Sequence, residues 1–142
     1  MVFDDAKSSR WNVFEFPRIT DPRGDLTFLE GGNHIPFDIA RVYYLYNVPV
    51  DADRGGHGHR DLQQVIFALS GSFRITLDDG AVRQEYLLRN PRQGLYLTGK
   101  VWREIDLFSQ GAVCMVLASL PYDEADYLRD YNDFLTYARN TG

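Results

Sequence analysis

The sequence predicts an all-β domain, a jelly roll or similar double-sheet barrel, followed by one α-helix. Two observations predict this fold. Short apolar runs, separated at short intervals by Gly and Pro, recur along the first 120 residues, as in a sandwich or barrel. From residue 121 onward the apolar residues instead recur at spacings of three and four, as on one face of a helix. We therefore expect a single domain over residues 1–142, with a β barrel at about 10–120 and a helix at about 122–138.

Each predicted strand is a run of β-branched and aromatic residues or of alternating apolar and polar residues. In chain order these runs are Trp11–Phe16, Leu26–Leu29, Ile39–Val48, Gln64–Leu69, Phe73–Leu77, Val82–Leu88, Leu95–Leu97, Trp102–Phe108 and Ala112–Ala118. Turn-rich links over Arg18–Gly24 and Gly31–Pro36 separate the first three runs. Ser70-Gly71-Ser72 is predicted to close a hairpin, and Asp78-Asp79-Gly80 to turn the chain again. The last run is apolar enough to be buried on both faces, which places Cys114 in the core.

The tail from residue 121 has the pattern of a helix. Asp123 is a suitable N-cap, and acidic residues follow it in the first turn. The apolar positions at helical spacing are Leu128, Tyr131, Phe134 and Leu135. The tail holds five acidic and two basic residues, so most of the formal charge of -5 lies here. The total charge therefore says little about a site in the barrel.

The composition excludes several classes of function. The chain has 15 Lys+Arg against 20 Asp+Glu, and this acidic balance argues against a nucleic-acid partner. A single cysteine closes no internal disulfide, which fits a reducing, cytoplasmic compartment. No apolar run approaches the roughly 18 residues of a membrane-spanning helix, and Met1–Arg10 lacks the apolar core of a signal peptide. We expect no membrane association.

The segment Arg54-Gly55-Gly56-His57-Gly58-His59-Arg60 holds two of the three histidines. Alternate residues of an extended segment share a face, so both imidazoles can point into one cavity. The glycines permit a tight turn and a close approach of the backbone to a ligand. Since histidine titrates near neutral pH, the pair predicts a shared chemical site, and the alternative is a pair of surface side chains.

This segment resembles the first motif of the cupin superfamily, a glycine-flanked His-x-His followed by a glutamate and then a glycine. Here the motif reads His57-x-His59, Gln64 and Gly71. In the second cupin motif a histidine follows Gly-x-x, and that position holds Trp102. Two of the four usual metal ligands are therefore replaced, including the only carboxylate, which leaves a weak site for a divalent ion. We expect no metal and no cofactor, and histidines that are available for acid–base chemistry.

Longer strings carry a more specific resemblance, to the WxcM-like sugar 3,4-ketoisomerases. The strings are Asp21-Pro22-Arg23-Gly24, Asn33-His34-Ile35-Pro36-Phe37, Arg41-Val42-Tyr43-Tyr44, Arg54-Gly55-Gly56-His57-Gly58-His59, Gly94-Leu95-Tyr96, Trp102-Arg103-Glu104, Leu117-Ala118-Ser119 and Tyr122-Asp123-Glu124-Ala125-Asp126-Tyr127. They run from about residue 20 to 135, nearly the whole chain. One departure lies in the histidine motif, where the family commonly has Ala and Lys and this chain has Gly58 and Arg60.

The resemblance implies a cupin jelly roll with a C-terminal helix, and a homodimer without metal or cofactor. It implies conversion of dTDP-4-keto-6-deoxyglucose into its 3-keto isomer, on the way to dTDP-3-amino-3,6-dideoxy sugars. His57 is expected to remove the carbon-3 proton. His59 is expected either to move a proton between the two sugar oxygens or to hydrogen-bond the enediolate. The expected substrate-binding residues are Arg23, Arg41, Tyr43, Arg54, Gln64, Trp102 and Arg103.

The chemistry of these side chains suits that substrate. A guanidinium fork matches two adjacent phosphates, which favours Arg54 as a diphosphate ligand. An enediolate needs donors aimed at its oxygens, and Arg103 or Arg23 can supply them. Each has an ordinary alternative, as a surface charge or a wall residue. Two other classes of function also stay open: a metal-dependent cupin enzyme such as a dioxygenase, and a non-catalytic cupin that binds sugar nucleotides. A 3,5-epimerase acting on the same substrate is a less supported alternative, because that family surrounds its base histidine with different motifs.

Overall fold

The computed structural model of the chain describes residues 8–140, which form two antiparallel sheets, a separate hairpin and a C-terminal helix. The strands are β1 (Trp11–Glu15), β2 (Arg18–Asp21), β3 (Gly24–Thr27), β4 (Arg41–Leu45), β5 (Arg54–His59), β6 (Gln64–Ser70), β7 (Phe73–Asp78), β8 (Arg83–Leu88), β9 (Gln93–Leu97), β10 (Trp102–Asp106), β11 (Val113–Ala118) and β12 (Tyr127–Leu128). A short 3₁₀ turn, Glu124–Asp126, precedes β12, and helix α1 is Tyr131–Asn140. Neither of these helical segments is long and apolar enough to cross a membrane.

The two main sheets confirm the predicted jelly roll with a C-terminal helix. The strand order is β1-β9-β6-β11-β4 in the first sheet and β12-β5-β10-β7-β8 in the second, so most neighbours are not consecutive in the chain. The core lies between the sheets, where Ile66 and Leu95 of the first pack with Ile75 and Ile105 of the second. Cys114 is fully buried in this core, as predicted.

The predicted hairpin over Gln64–Leu77 is wrong, although both of its strands exist. β6 pairs with β9 and β11 in the first sheet, whereas β7 pairs with β8 and β10 in the second. Gly71, at φ 66°, packs its turn against Ser109 and Ala112, so the chain crosses between sheets at this point. Alternation along each strand reports which face is buried, and a buried face is equally compatible with a hairpin and with a crossing.

Local backbone chemistry explains two further differences from the predicted strands. The link predicted over Arg18–Gly24 is the hairpin β2–β3, whose turn is held by Asp21 accepting a 2.8 Å hydrogen bond from the backbone N–H of Arg23. The strand predicted over Ile39–Val48 is shorter, because β4 ends at Leu45 and Asn47 follows in the left-handed region at φ 56°.

The helix predicted at about 122–138 begins only at Tyr131, which corrects its start by about nine residues. Asp123 is an N-cap as predicted, but it caps the short 3₁₀ turn, where its side chain accepts from the N–H of Ala125. Residues 127 and 128 then pair with β5, opposite His59 and Gly58. Strand pairing and burial at this point outweigh the helical propensity of the segment.

Gly58 allows helix α1 to pack closely against β5. A Cβ atom built on Gly58 would lie 2.8 Å from Cδ1 of Phe134 and 3.2 Å from the carbonyl oxygen of Val101. The neighbouring Arg60 also contacts the tail, because it donates to the carbonyl of Ala125 and its guanidinium lies 4.9 Å from the ring centre of Tyr137. Both departures from the family's histidine motif therefore lie against the C-terminal segment.

We expect Gly58→Ala to lower the free energy of unfolding by about 1–3 kcal/mol, because the added methyl overpacks the contact with the fully buried Phe134. Urea denaturation followed by fluorescence measures this loss. Phe134→Leu should restore part of the stability in the Gly58→Ala background, although it destabilises the wild-type chain. A Gly58→Ala protein as stable as wild type would contradict the assigned contact.

Candidate active site

A cavity of about 360 Å³ lies between the two main sheets. Its floor is aliphatic and includes Ile66 and Ile105. Its polar wall consists of His57, two tyrosines and three arginines, which are Tyr43, Tyr127, Arg54, Arg103 and Arg129. Among the described residues that line the cavity there is no carboxylate, so the wall is positively charged. Arg54 and Arg129 are exposed, whereas Arg103 is only 2% exposed and lies deep.

The two predicted catalytic histidines take different places. His57 lines the cavity, and His59 is fully buried without lining it. Their rings stand edge to face with centroids 4.9 Å apart, and the ring of Tyr127 lies 4.4 Å from that of His59. The alternate spacing in β5 therefore places both imidazoles on one face, with His59 in a layer behind the wall.

Asp126 fixes the tautomer of His59. Its Oδ2 lies 2.9 Å from Nδ1 of His59, and its Oδ1 accepts a 2.7 Å hydrogen bond from the backbone N–H of Asp61. An ionised carboxylate can only accept, so Nδ1 carries the proton and Nε2 is an acceptor. Within residues 8–140 this Nε2 has no hydrogen-bond partner, and it is buried. A buried acceptor without a protein partner is available for a ligand or a water.

Burial, reinforced by the positive charge of Arg103, lowers the pKa of His59 far below its usual value. The unfolded chain binds a proton on this histidine below pH about 6.5, and the folded chain does not. Stability from His59 is therefore fully present above that pH and declines as the pH falls.

We expect the free energy of unfolding to drop by up to about 1.4 kcal/mol per pH unit below about 6.5 through this one group. Urea denaturation between pH about 7.5 and about 5 measures the slope. His59→Gln, which cannot bind the proton, should have a flatter profile. Equal slopes for the two proteins would show that His59 is protonated in the folded state.

A buried amide connects two cavity residues. Gln64 is fully buried, its Oε1 accepts a hydrogen bond from Nη1 of Arg103, and its Nε2 donates to the hydroxyl of Tyr43 at 2.8 Å. Arg103 also donates to the carbonyl of Val101 at 3.2 Å. Burial lowers the pKa of Arg103 to about 10, so its guanidinium is still charged at neutral pH. Burial also raises the pKa of Tyr43, so the phenol keeps its proton.

The structure brings most of the predicted substrate-binding residues to this cavity. Tyr43, Arg54 and Arg103 line it, and Gln64 lies directly behind two of them. Arg41 lies one layer further out, with its guanidinium 5.1 Å from the ring centre of Tyr43. These residues come from β4, β5, β6 and β10, which belong to both sheets.

Trp102 and Arg23 do not line the cavity. The indole of Trp102 packs against Tyr131 and Phe134 of α1, with ring centroids 5.3 and 5.6 Å away. Its place in β10 alternates with Arg103, so the two side chains leave the strand on opposite faces. Arg23 is exposed on the β2–β3 turn and pairs with Asp21 at 2.8 Å. The indole of Trp102 is therefore packed in the C-terminal region, and substrate contact by Arg23 and by Trp102 stays a prediction.

Three residues of the site were not assigned a role from the sequence: Asp126, Tyr127 and Arg129. Arg129 lines the cavity with its guanidinium 4.3 Å from the ring centre of Tyr127, and it pairs with Glu124 at 2.8 Å. All three lie in the segment whose spacing predicts a helix, so the helical pattern alone gives them no role in a site. Asp126 and Tyr127, but not Arg129, belong to the string Tyr122–Tyr127 that carries the family resemblance.

Among residues 8–140, no group of three or more His, Cys, Asp and Glu side chains is arranged to hold a metal ion. Gln64 and Trp102, which occupy two cupin ligand positions, are both engaged elsewhere. Gln64 bonds Tyr43 and Arg103, and the indole N–H of Trp102 donates to Glu104 at 3.3 Å.

Comparisons with known proteins show the family of the chain. The family model described as FdtA (WxcM-like, C-terminal) matches residues 9–139. The chain is 46% identical over 125 residues to TDP-4-oxo-6-deoxy-alpha-D-glucose-3,4-oxoisomerase of Aneurinibacillus thermoaerophilus. The aligned region covers 88% of this chain and 90% of the relative.

Solved structures agree as well. A single-site mutant of the 3,4-ketoisomerase QdtA of Thermoanaerobacterium thermosaccharolyticum, in complex with TDP-4-keto-6-deoxyglucose, matches with a TM-score of 0.91 and 41% identity. The match covers 94% of this chain and 96% of that chain. The TDP-quinovose 3,4-ketoisomerase WlaRB of Campylobacter jejuni matches with a TM-score of 0.88 and 40% identity, covering 91% and 99%. The resemblance found in the sequence is confirmed, and the chain belongs to the FdtA family of WxcM-like proteins.

Proposed function

We propose that this protein is a sugar-nucleotide 3,4-ketoisomerase that converts dTDP-4-keto-6-deoxyglucose into a dTDP-3-keto-6-deoxyhexose. The observation that carries the proposal is the positively charged cavity with His57 on its wall, in a chain whose relatives are 3,4-ketoisomerases. A ketone at carbon 3 is the group that amination at carbon 3 requires, which fits a route to 3-amino-3,6-dideoxy sugars. A nucleotide-activated substrate and a single buried cysteine fit the cytoplasm.

The distribution of charge suits a nucleotide sugar. Arg54 and Arg129 are exposed at the cavity, where they can bind the two phosphates as guanidinium forks. The buried Arg103 lies on the wall of the same cavity, away from solvent, where a positive charge stabilises developing negative charge strongly. The diphosphate is therefore assigned to the mouth of the cavity and the sugar ring to its interior.

The isomerisation moves two protons and leaves the composition of the sugar unchanged. His57 takes the proton from carbon 3, the electron pair forms the carbon–carbon double bond of an enediolate, and the oxygen on carbon 4 becomes the oxyanion. The enediolate then collapses to a ketone at carbon 3 while carbon 4 receives a proton from protonated His57. One imidazole can serve both ends of this transfer.

The remaining proton moves between oxygens. The hydroxyl on carbon 3 must lose its proton and the oxygen on carbon 4 must gain one. We assign this transfer to His59, which stands behind the wall and reaches the sugar oxygens through a bridging water, because Asp126 holds Nδ1 in its protonated form and leaves Nε2 as an acceptor. The depressed pKa of His59 keeps the imidazole neutral, so that it accepts a proton only transiently.

The test is turnover in deuterated water. Chelator-treated protein is incubated with dTDP-4-keto-6-deoxyglucose and the sugar is followed by NMR. We expect the ketone to appear at carbon 3 with deuterium at carbon 4, because the cavity is open to water and protonated His57 exchanges its proton with the solvent before delivering it. Recovery of unchanged substrate, together with tight dTDP binding, would indicate a non-catalytic binding protein. Activity that appears only after a divalent metal is restored would indicate a metal-dependent cupin.

We also propose that the protein is a homodimer, as its family resemblance implies. The edge strand β4 supports this, because among residues 8–140 it pairs on one side only, with β11, and its outward face exposes Val42 and Tyr44, with Tyr46 just beyond. Exposed apolar edge strands are commonly covered by another part of the protein or by a second subunit. Sedimentation equilibrium is expected to give twice the chain mass of 16.3 kDa. Val42→Glu combined with Tyr44→Glu should then give a folded monomer, and an unchanged dimer would place the interface elsewhere.

A further inference from the structure

We infer that Gln64 is a positioning residue that directs the hydroxyl proton of Tyr43 into the cavity, so that Tyr43 and Arg103 together donate to the oxygen that becomes negative. This inference rests on the proposed function for its chemistry. The hydrogen-bond direction on which it depends is a property of the folded chain and can be measured without substrate.

The orientation of the Gln64 amide follows from its neighbour. A guanidinium has only donors, so the group of Gln64 that faces Arg103 must be the carbonyl oxygen. The amide nitrogen then faces Tyr43, whose hydroxyl oxygen lies 2.8 Å away. A neutral amide nitrogen only donates, so the Tyr43 oxygen is the acceptor in this bond.

This direction leaves the proton of Tyr43 for another partner. The hydroxyl has one proton and two acceptor lone pairs, and the bond from Gln64 uses a lone pair. Tyr43 lines the cavity, so its proton can point to a ligand there. Gln64 itself does not line the cavity and acts only through its two neighbours.

A carboxylate at position 64 would reverse both effects. It would accept from Tyr43, which would turn the hydroxyl proton away from the cavity, and it would pair with the buried charge of Arg103. An amide keeps both donors available. Donors held in advance at the position of a developing oxyanion are a large source of rate enhancement, because they need no reorganisation during the reaction.

The first test uses kinetics. We expect Gln64→Glu to lower kcat about 100-fold, the lower end of the loss seen when an oxyanion donor is removed, with little change in KM. Tyr43→Phe should lower kcat in the wild-type background but have almost no further effect in the Gln64→Glu background, because the donor is already lost. The matched control is Gln63→Glu, the same change in the next residue, whose Oε1 accepts from Tyr96 outside the cavity. This control should keep wild-type turnover.

The second test needs no turnover. In proton NMR, Gln64→Glu is expected to gain a slowly exchanging hydroxyl signal from Tyr43, because the proton is then bonded to a buried carboxylate, and Tyr43→Phe should remove that signal. Wild type should lack the signal, because its hydroxyl proton faces the cavity and exchanges with water. A protected Tyr43 hydroxyl in wild type, identified by its loss in Tyr43→Phe, would overturn the inference.

The two tests separate the inference from the proposed function. If wild type does not isomerise the sugar, the proposed function fails, and the NMR result still decides the direction of the hydrogen bond. If wild type is active and Gln64→Glu keeps its kcat within about 3-fold, the inference fails and the proposed function stands. Thermal unfolding of each variant verifies folding, which the pairing of the introduced carboxylate with Arg103 should preserve.

Discussion

His57→Asn is expected to lower kcat by about 10⁴, the upper end of the range for loss of a general base. His57 is the one histidine on the cavity wall among the described residues, and the reaction cannot begin until the carbon-3 proton is removed. Asparagine is similar in shape and polarity but does not bind a proton near neutral pH. Binding of dTDP should be unchanged, because the phosphates are assigned to Arg54 and Arg129. Single-turnover NMR and calorimetric titration with dTDP measure the two quantities.

The matched control is His34→Asn. His34 lies outside the cavity, and its Nδ1 accepts from the backbone N–H of Glu30. It should keep wild-type turnover. Deuterium exchange at carbon 3 distinguishes two kinds of loss, since a protein without its base loses exchange and turnover together. If His57→Asn still exchanged the carbon-3 proton, the base would have to be another group, and the assignment of His57 would be wrong.

Asp126→Asn is expected to lower kcat by about 10³ while the protein stays folded. The introduced amide keeps its oxygen toward the N–H of Asp61, because only the oxygen accepts that bond. Its NH₂ group then faces Nδ1 of His59 and donates to it. The imidazole must adopt the other tautomer, with the proton on Nε2, and it can no longer accept a proton from the sugar hydroxyl at that nitrogen.

Nitrogen NMR of labelled histidine reads this tautomer directly. Wild type should show a protonated Nδ1 on His59, and the variant a protonated Nε2. Asp123→Asn is the matched control, because asparagine also caps a helix and Asp123 lies three residues away outside the cavity. A variant with the altered tautomer and full turnover would remove His59 from the proton transfer. A variant with the original tautomer and full turnover would show that Asp126 does not set it.

Local signals in the sequence predicted the sheets but not how the strands pair. Alternation in Phe73–Leu77 identified a strand with one buried face, and β7 is that strand. Pairing depends on which strands meet across the barrel, and that is decided by contacts distant in the chain. For this reason Gln64–Leu77 looked like a hairpin although its two halves lie in different sheets. The start of the predicted C-terminal helix was wrong for the same reason. Tyr127 pairs with β5, a contact distant in the chain that no local pattern of residues indicates.

The candidate site was predictable where one strand carried it. His57 and His59 stand at alternate positions of β5, and that spacing alone placed them on one face. The layer to which each belongs was not predictable, because Tyr127, whose ring packs 4.4 Å from that of His59, comes from a segment 68 residues further along the chain. Gln64 was identified as a substitution at a cupin ligand position, but its bonds to two wall residues depend on β4 and β10 lying on either side.

In this protein the free energy of opening the C-terminal segment differs from the free energy of unfolding the barrel. Asp126 and Arg129 depend on a two-residue strand, β12, and on the packing of Phe134 against Gly58. Local opening of such a peripheral segment costs less free energy than unfolding the barrel core. The tail can therefore detach together with its edge strand β12 while the other strands of both sheets stay paired. The protein then stays folded by spectroscopic criteria but lacks the Asp126 partner of His59 and the cavity residue Arg129. The fraction of active protein then depends on the equilibrium between the closed and the open tail. A melting temperature that reports unfolding of the barrel does not measure this fraction.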